Sequence, residues 1–333
     1  MGDAPTVAAP TRRDRWLTFF ERYTLVIVFV AVMVFFSVWS RTSDTFPTAA
    51  NIKNVLGNQS VIGILALAIM IPLVAGHFDF AVGPVAGISQ ALTAGFMAKL
   101  GAPLAVAIVV GLLVGAAVGL TTGTVVAKIG VNSLIATLGM AAVLSGIVVW
   151  YTNSQSIITG ISEDLTDLGS GNWFGIPRTL YVLAVVAALV YYVLEYTPFG
   201  RYLHSIGSNA PAARLVGLPV DRLEIVAFVV SGTMAAFAGV LLVARNGGAS
   251  PQVGTVSDSL QALSAVFLGA TAIRPGRFNV VGTLVAIFFL AFTITGLSLA
   301  GVESWIGDVC NGAALFIAVV VSTLIGRRRA RVV

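Results

Sequence analysis

Apolar residues along this chain collect into runs that approach or complete a bilayer crossing, with short polar connections between them. The runs occupy roughly 22–39, 55–75, 80–98, 103–126, 133–151, 178–194, 225–244, 259–272, 280–295 and 305–325. The pattern predicts an all-α integral membrane protein of about ten transmembrane helices, with N- and C-termini cytoplasmic and one or more broken helices. The eighth run is short, which predicts a broken or tilted helix. In the fourth, Gly111, Gly115 and Gly119 recur every four residues on one face. Such a face permits close helix packing, and structure alone is a sufficient reason for it.

One connection, 195–224, is far more elaborate than a helix reversal requires. Pro198-Phe199-Gly200 stops the preceding helix. Gly207-Ser208-Asn209 can cap a short new one, with Asn209 at the N-cap and Pro211 in the tolerant first turn. Its body is Ala210, Ala212, Ala213, Arg214 and Leu215; Gly217 ends it, and Pro219 discourages continuation. The segment reads as a docking surface for a cytoplasmic partner, against the plainer reading of a solvated loop with an amphipathic turn. The longest external polar segment is 152–177, which carries Glu163, Asp164 and Asp167.

Composition supports a single membrane domain. Of the 333 residues, 57% are hydrophobic and only 10% charged, and the mean hydropathy is +0.96. A soluble chain carries about a quarter charged residues. The division is a cytoplasmic tail at 1–21, a membrane domain at 22–326 and a basic cytoplasmic tail at 327–333. Arg12, Arg13 and Arg15 precede an apolar run as in a secretory signal, but that run ends Val38-Trp39-Ser40 without a small-residue cleavage pattern. It therefore reads as an uncleaved first helix.

The net charge of +5 concerns membrane orientation, not nucleic acid. Arg12, Arg13, Arg15, Arg22, Lys128, Arg201, Arg214, Arg222, Arg274, Arg277 and the arginines at 327, 328, 329 and 331 fall on one side of the ten-span topology. Arg41, Lys53, Lys99, Arg178 and Arg245 fall on the other or at its edge. That asymmetry marks the first side as cytoplasmic. The single cysteine, Cys310, excludes an internal disulfide and packs as a small hydrophobe.

Chemistry-bearing residues are few. Gly76-His77-Phe78-Asp79-Phe80-Ala81-Val82-Gly83-Pro84 divides two apolar runs. Gly76 and Gly83 supply flexible backbone there, and Asp79 is placed to cap the free N–H groups of the next helix. A direct ligand role for Asp79 is the sharper, less favoured reading. His77 lacks a second histidine or cysteine at ligand spacing, so no metal is expected. Asn58, Gln59, Gln90, Asn132 and Thr137 are polar positions within or near the spans. They are candidates to line a pathway for a neutral solute, although helix-to-helix hydrogen bonds account for the same residues.

Four ordered segments carry a resemblance: GHFDFAVGPVAGIS at 76–89, SLIATLGMAAVLSG at 133–146, GRYLHSIGSNAPAARLVGLPVDRLEIVAFVVSG at 200–232, and LSAVFLGATAIRPGRFNVVGTLVA at 263–286. Over about residues 22–326 the chain resembles the ribose/xylose/arabinose-type permeases of bacterial ABC importers, in the branched-chain amino acid/sugar permease superfamily. His77-Phe78 replaces the usual small residue and Ile, Phe80-Ala81 replaces Leu-Ser, and Ala270 and Arg274-Pro275 depart from glycine-rich positions.

The resemblance implies a non-enzymatic permease subunit in the bacterial inner membrane. It moves a small neutral hydroxylated solute, a monosaccharide or polyol, received from an external solute-binding protein. It implies cytoplasmic ABC ATPase subunits that use ATP and Mg, none bound by this chain, and a second permease, either another copy of this chain in a homodimer or a similar chain in a heterodimer. Gly207, Asn209, Ala212, Ala213, Arg214 and Gly217 would form the ATPase-docking segment, and Asp79 takes the position of the signature acid. The alternatives are an ion- or proton-coupled carrier, a structural scaffold, or an ABC permease for nucleosides or branched-chain amino acids. No intramembrane series of charges suggests a proton relay, and no phosphate-cradling motif places ATP on this chain.

Overall fold

The computed structural model describes the backbone of residues 12–330 and the side chains of residues 22–320. Every predicted apolar run falls on a helix: α1 (Arg12–Val38), α2 (Ala49–Val74), α3 (Val82–Leu100), α4 (Leu104–Thr124), α5 (Ser133–Thr152), α7 (Arg178–Tyr196), α9 (Val220–Asn246), α10 (Val256–Gly269), α11 (Val280–Leu299) and α12 (Trp305–Ala330). The connections add α6 (Glu163–Ser170), α8 (Pro198–Leu215) and a two-residue hairpin of β1 (Asn172–Trp173) with β2 (Ile176–Pro177). Among the described residues, six helices are long and apolar enough to cross a membrane: α2, α4 with its π-helical extension, α5, α7, α9 and α11. The chain is therefore an all-α, multi-span membrane protein. α1 begins at Arg12, before the apolar run starts, and α12 continues through the first residues of the basic tail. The predicted tails at 1–11 and 331–333 lie outside the described residues.

The core is built on α2, α3 and α9. Residues 63–74 of α2 are buried without interruption, and α3 and α9 pack along it. The glycine face of α4 lies on α9. A Cβ on Gly115 would overlap the Gly232 carbonyl, and one on Gly119 the Phe228 carbonyl. Only glycine lets these two backbones approach so closely. The last turn of α4 widens into the π turn Val125–Ile129 and stops at Gly130, whose φ is +81°. Around this core α1 packs on α11, α5 on α3, and α12 on α10.

At the end of the bundle that carries α6, Arg245 fastens three elements together. Its guanidinium donates to Asn58 Oδ1 at 2.8 Å, Asn54 Oδ1 at 3.0 Å and the Gly169 carbonyl at 3.3 Å. The end of α9 is thereby tied to α2 and to α6.

Candidate functional site

α2 does not run on into α3. Pro72 denies the last turn a donor, and Gly76 turns the chain with φ +89°. The seven residues between the helices are held from every side. Asp79 is buried; its Oδ1 accepts from the Ala81 N–H at 3.1 Å and its Oδ2 from the Ser231 hydroxyl of α9 at 2.9 Å. His77 Nε2 lies 3.1 Å from the buried carboxylate of Glu224, also on α9. The Phe78 N–H donates to the Ser133 hydroxyl at the start of α5, 3.1 Å away.

The start of α3 meets the start of α10. Ser259 accepts from the Gly83 N–H at 2.8 Å and donates to the Phe80 carbonyl at 2.9 Å. A Cβ on Gly83 would overlap the Thr255 carbonyl, and one on Gly87 the Gly254 carbonyl. The break therefore joins α2, α3, α5, α9 and α10 at one buried place. The approach at Gly83 shows why glycine stands there, beyond the flexibility inferred from sequence.

On the far side of the break lies α8. Its helix is kinked at Asn209, where φ −159° and ψ 92° leave the helical region. Asn209 Oδ1 accepts from the Ala212 N–H at 3.0 Å, so Asn209 is the N-cap that its position predicts. The short helix closes as the Gly217 N–H donates to the Arg214 carbonyl and the Leu218 N–H to that of Ala213, with Gly217 at φ +86°. Pro198 stands in the first turn of α8, with α7 already ended at Tyr196.

The six residues assigned to docking divide by position. Ala213 is buried, whereas Asn209, Ala212, Arg214 and Gly217 face outward. Gly207 sits against the Val74 carbonyl, so it forms the contact between α8 and the end of α2. Arg214 pairs with Asp221 at 2.5 Å. Sequence reasoning passed over Leu215 and Val216, which are 89% and 77% exposed. Two adjacent aliphatic residues before Gly217 are visible in the sequence, but nothing there shows that they stand bare.

The candidate pathway residues are not brought together. Asn58 is engaged by Arg245 at one end of the bundle. Gln59 accepts from Gln261 of α10 at 3.4 Å. Gln90 is fully buried and donates to the Ser250 and Val253 carbonyls, while its Oε1 has no partner among the described residues. Asn132 caps α5, accepting from the N–H groups of Leu134 and Ile135. Thr137 bonds back to the Ser133 carbonyl. A cavity of about 190 Å³ lies elsewhere, between α10 and α12, lined by Ser257, Leu260, Ser264, Asp308, Asn311 and Leu315 among others. Asn311 Oδ1 is buried there without a partner among the described residues. No cluster of His, Cys, Asp and Glu among the described residues is arranged to hold a metal ion.

The comparisons with known proteins agree with one another. The family described as branched-chain amino acid transport system / permease component matches residues 51–319. The ribose import permease protein RbsC of Haemophilus influenzae is 31% identical over 304 residues, covering 90% of this chain and 94% of that protein. The Escherichia coli K12 protein of the same name is 33% identical over 296 residues, covering 88% and 91%. The L-arabinose transport system permease protein AraH of Escherichia coli K12 is 31% identical over 301 residues, covering 90% of each. No solved structure matches the chain. With the break, the α8 connector and these matches in hand, the chain belongs to the branched-chain amino acid transport system permease family and is a membrane transport component.

Proposed function

We propose that this chain is the permease subunit of an ATP-driven importer in the bacterial inner membrane. Its solute is a small neutral hydroxylated molecule, a monosaccharide or polyol of the kind named for its relatives. In this reading the chain crosses the membrane ten times, and α8 and both termini lie in the cytoplasm. Two permease copies face one another across a two-fold axis, because ATP sites in such machines form between two ATPase subunits. An external solute-binding protein delivers the solute at the end that carries α6.

The observation that carries the reading is the short helix 210–215. It is capped at both ends, exposes Leu215 and Val216, and belongs to the same α8 that rests through Gly207 on α2 beside the helix break. An ATPase that grips the exposed end can therefore push on the buried one. Asn58, Gln59, Gln90, Asn132 and Thr137 remain candidates for the solute path. The α10–α12 cavity adds Asn311, whose buried Oδ1 has no partner among the described residues, and the exposed Asp308 on its wall; both are acceptors that suit sugar hydroxyls.

The test is reconstitution of the full chain with its ATPase and binding protein in sealed vesicles. ATP-dependent uptake of a pentose or polyol is the expected result. Uptake by the chain alone on an ion gradient overturns the reading in favour of a carrier. Tight binding of a zwitterionic amino acid by the external partner, with sugars inactive, overturns the solute class.

A further inference from the structure

A second site lies where α7 turns into α8. A cavity of about 360 Å³ opens between that corner and the turn joining α10 to α11, lined by Leu194, Glu195, Arg201, His204, Ser205, Arg274, Arg277 and Phe278. A neighbouring cavity of about 370 Å³ continues it past His204, Arg277 and Phe278 to Gly207. Three guanidinium groups line this cleft against one carboxylate. Glu195 is taken by Arg274, to which it is ion-paired, and that bond holds the Arg274 pKa above its ordinary value. Arg201 reaches only the Tyr196 carbonyl, at 3.5 Å, and neither Arg201 nor Arg277 has a carboxylate partner among the described residues. Partial burial pushes the His204 imidazole below its ordinary pKa, with Glu195 raising it and Arg277 lowering it. At neutral pH His204 is thus an uncharged donor or acceptor beside the two arginines.

The depth of the cleft is marked independently. Tyr192 and Tyr196, in the last turns of α7, are 61% and 62% exposed, and their rings stack 5.9 Å apart. Exposed tyrosines at the end of a spanning helix mark the membrane–water interface. The mouth of the cleft therefore lies at headgroup depth, with Leu194 and Phe278 offering apolar wall to a glycerol and upper acyl chain.

We propose that this cleft binds the phosphate headgroup of an anionic phospholipid of the α8-side leaflet, held by Arg201 and Arg277 with Ser205 and His204 as hydrogen-bonding neighbours. Basic pockets between spanning helices at this depth suit a lipid phosphate, and the arginine fork matches its oxygens. A lipid seated there would brace α8 against the α10–α11 turn, on the helix that also meets the end of α2. The site rests on the membrane-spanning fold and its tyrosine belt, whatever solute the protein carries.

The experiment uses the full chain in nanodiscs and in detergent micelles, with R201Q/R277Q as the variant. Native mass spectrometry measures retention of phosphatidylglycerol or cardiolipin relative to phosphatidylcholine. The wild type should prefer the anionic lipids, and the variant should lose about twenty-fivefold of that preference, the product of about fivefold for each arginine near the surface. Equal preference in wild type and variant overturns the proposal. So does protection by inorganic phosphate without retention of lipid, which makes the cleft a soluble-anion site. Loss of ATPase binding by the variant in pure phosphatidylcholine, with no lipid dependence, also overturns it, because an acidic ATPase side chain then fills the cleft.

Should the double variant fail to fold, Phe278→Trp gives a second measurement in a chain with both arginines. Stronger quenching of the added tryptophan by brominated phosphatidylglycerol than by brominated phosphatidylcholine is the supporting result. Equal quenching overturns the site.

Discussion

Gly207 of α8 rests directly on the carbonyl oxygen of Val74, the last residue of α2. Two residues later Gly76 turns the chain into the break, and its own α-carbon faces Gly207 again, a Cβ there lying 3.8 Å from the Gly207 Cα. The outer helix and the interrupted core helix thus share a contact with no side chain between them. A load on α8 passes into the break without a flexible intermediary.

Gly207→Ala should break this relationship, because the new methyl overlaps a backbone oxygen that cannot rotate away. Either α8 lifts or the end of α2 shifts, at a cost of about 1–3 kcal/mol. We expect a lower melting temperature and a marked loss of solute-stimulated ATP hydrolysis in reconstituted membranes. Gly139→Ala is the matched control, since a Cβ there meets nothing within 4 Å. Equal behaviour of the two variants would show that the Gly207 contact transmits nothing.

Asp79 gives a separate prediction about the break itself. Asp79→Ala removes the acceptor of both the Ala81 N–H and the Ser231 hydroxyl, leaving buried donors unpaired. The expected loss is about 1–3 kcal/mol in thermal unfolding. Asp79→Asn keeps Oδ1 for Ala81 and offers an N–H to the Ser231 oxygen, so it should melt close to wild type. If uptake fails in Asp79→Asn while the melt is unchanged, the carboxylate has a role in transport beyond holding the break together.

Much of the scaffold was legible because its cause is local. Apolar runs long enough to span lie on helices, and Asn209, Gly217 and the glycine stripe of α4 do the geometric work that their spacing implies. Partners far apart in sequence were not legible. Nothing near His77 announces Glu224, and nothing near Gly83 announces Thr255 and Ser259, since both pairings depend on how α9 and α10 pack against the break. The same limit affects the polar residues. Asn58 and Asn132 look like pathway residues by type, but one is held by Arg245 and the other caps a helix. Hydropathy likewise gave no sign that Leu215 and Val216 stand bare, because exposure is set by where the helix ends relative to its neighbours.

The cavity between α10 and α12 leads to a prediction on solute handling. Asn311→Ala removes a buried acceptor without a protein partner, so its structural cost should be small. If that oxygen serves a solute hydroxyl, uptake should fall about fivefold to tenfold, the worth of one hydrogen bond of about 1–1.5 kcal/mol. Asp308→Asn, also on the cavity wall, should have a similar effect that varies between solutes differing in one hydroxyl. ATPase association and basal hydrolysis should be unchanged in both. Normal uptake of every solute by both variants would remove this cavity from the path.

The docking assignment is tested at Arg214 and its neighbours. Arg214 and Asp221 form an ion pair with both side chains substantially exposed, 54% and 42%. Such a pair contributes about 0–1 kcal/mol, so breaking it should leave insertion and folding intact. Arg214→Glu reverses the charge at the face beside Leu215 and Val216, and we expect loss of ATPase co-purification and of solute-stimulated hydrolysis. The double variant Arg214→Glu/Asp221→Arg restores the ion pair with its signs exchanged. If Arg214 acts only by holding Asp221, coupling returns in the double variant; if it meets the ATPase, coupling stays lost. Leu215→Asp should fail in the same way while its melting temperature stays near wild type, because the side chain is already exposed. Gly217→Pro should fail for a different reason. Proline cannot adopt φ +86° and has no N–H to donate to the Arg214 carbonyl, so the helix end is redirected. Full coupling in Arg214→Glu, Leu215→Asp and Gly217→Pro together would sink the assignment of α8 as the ATPase contact, while leaving the family membership untouched.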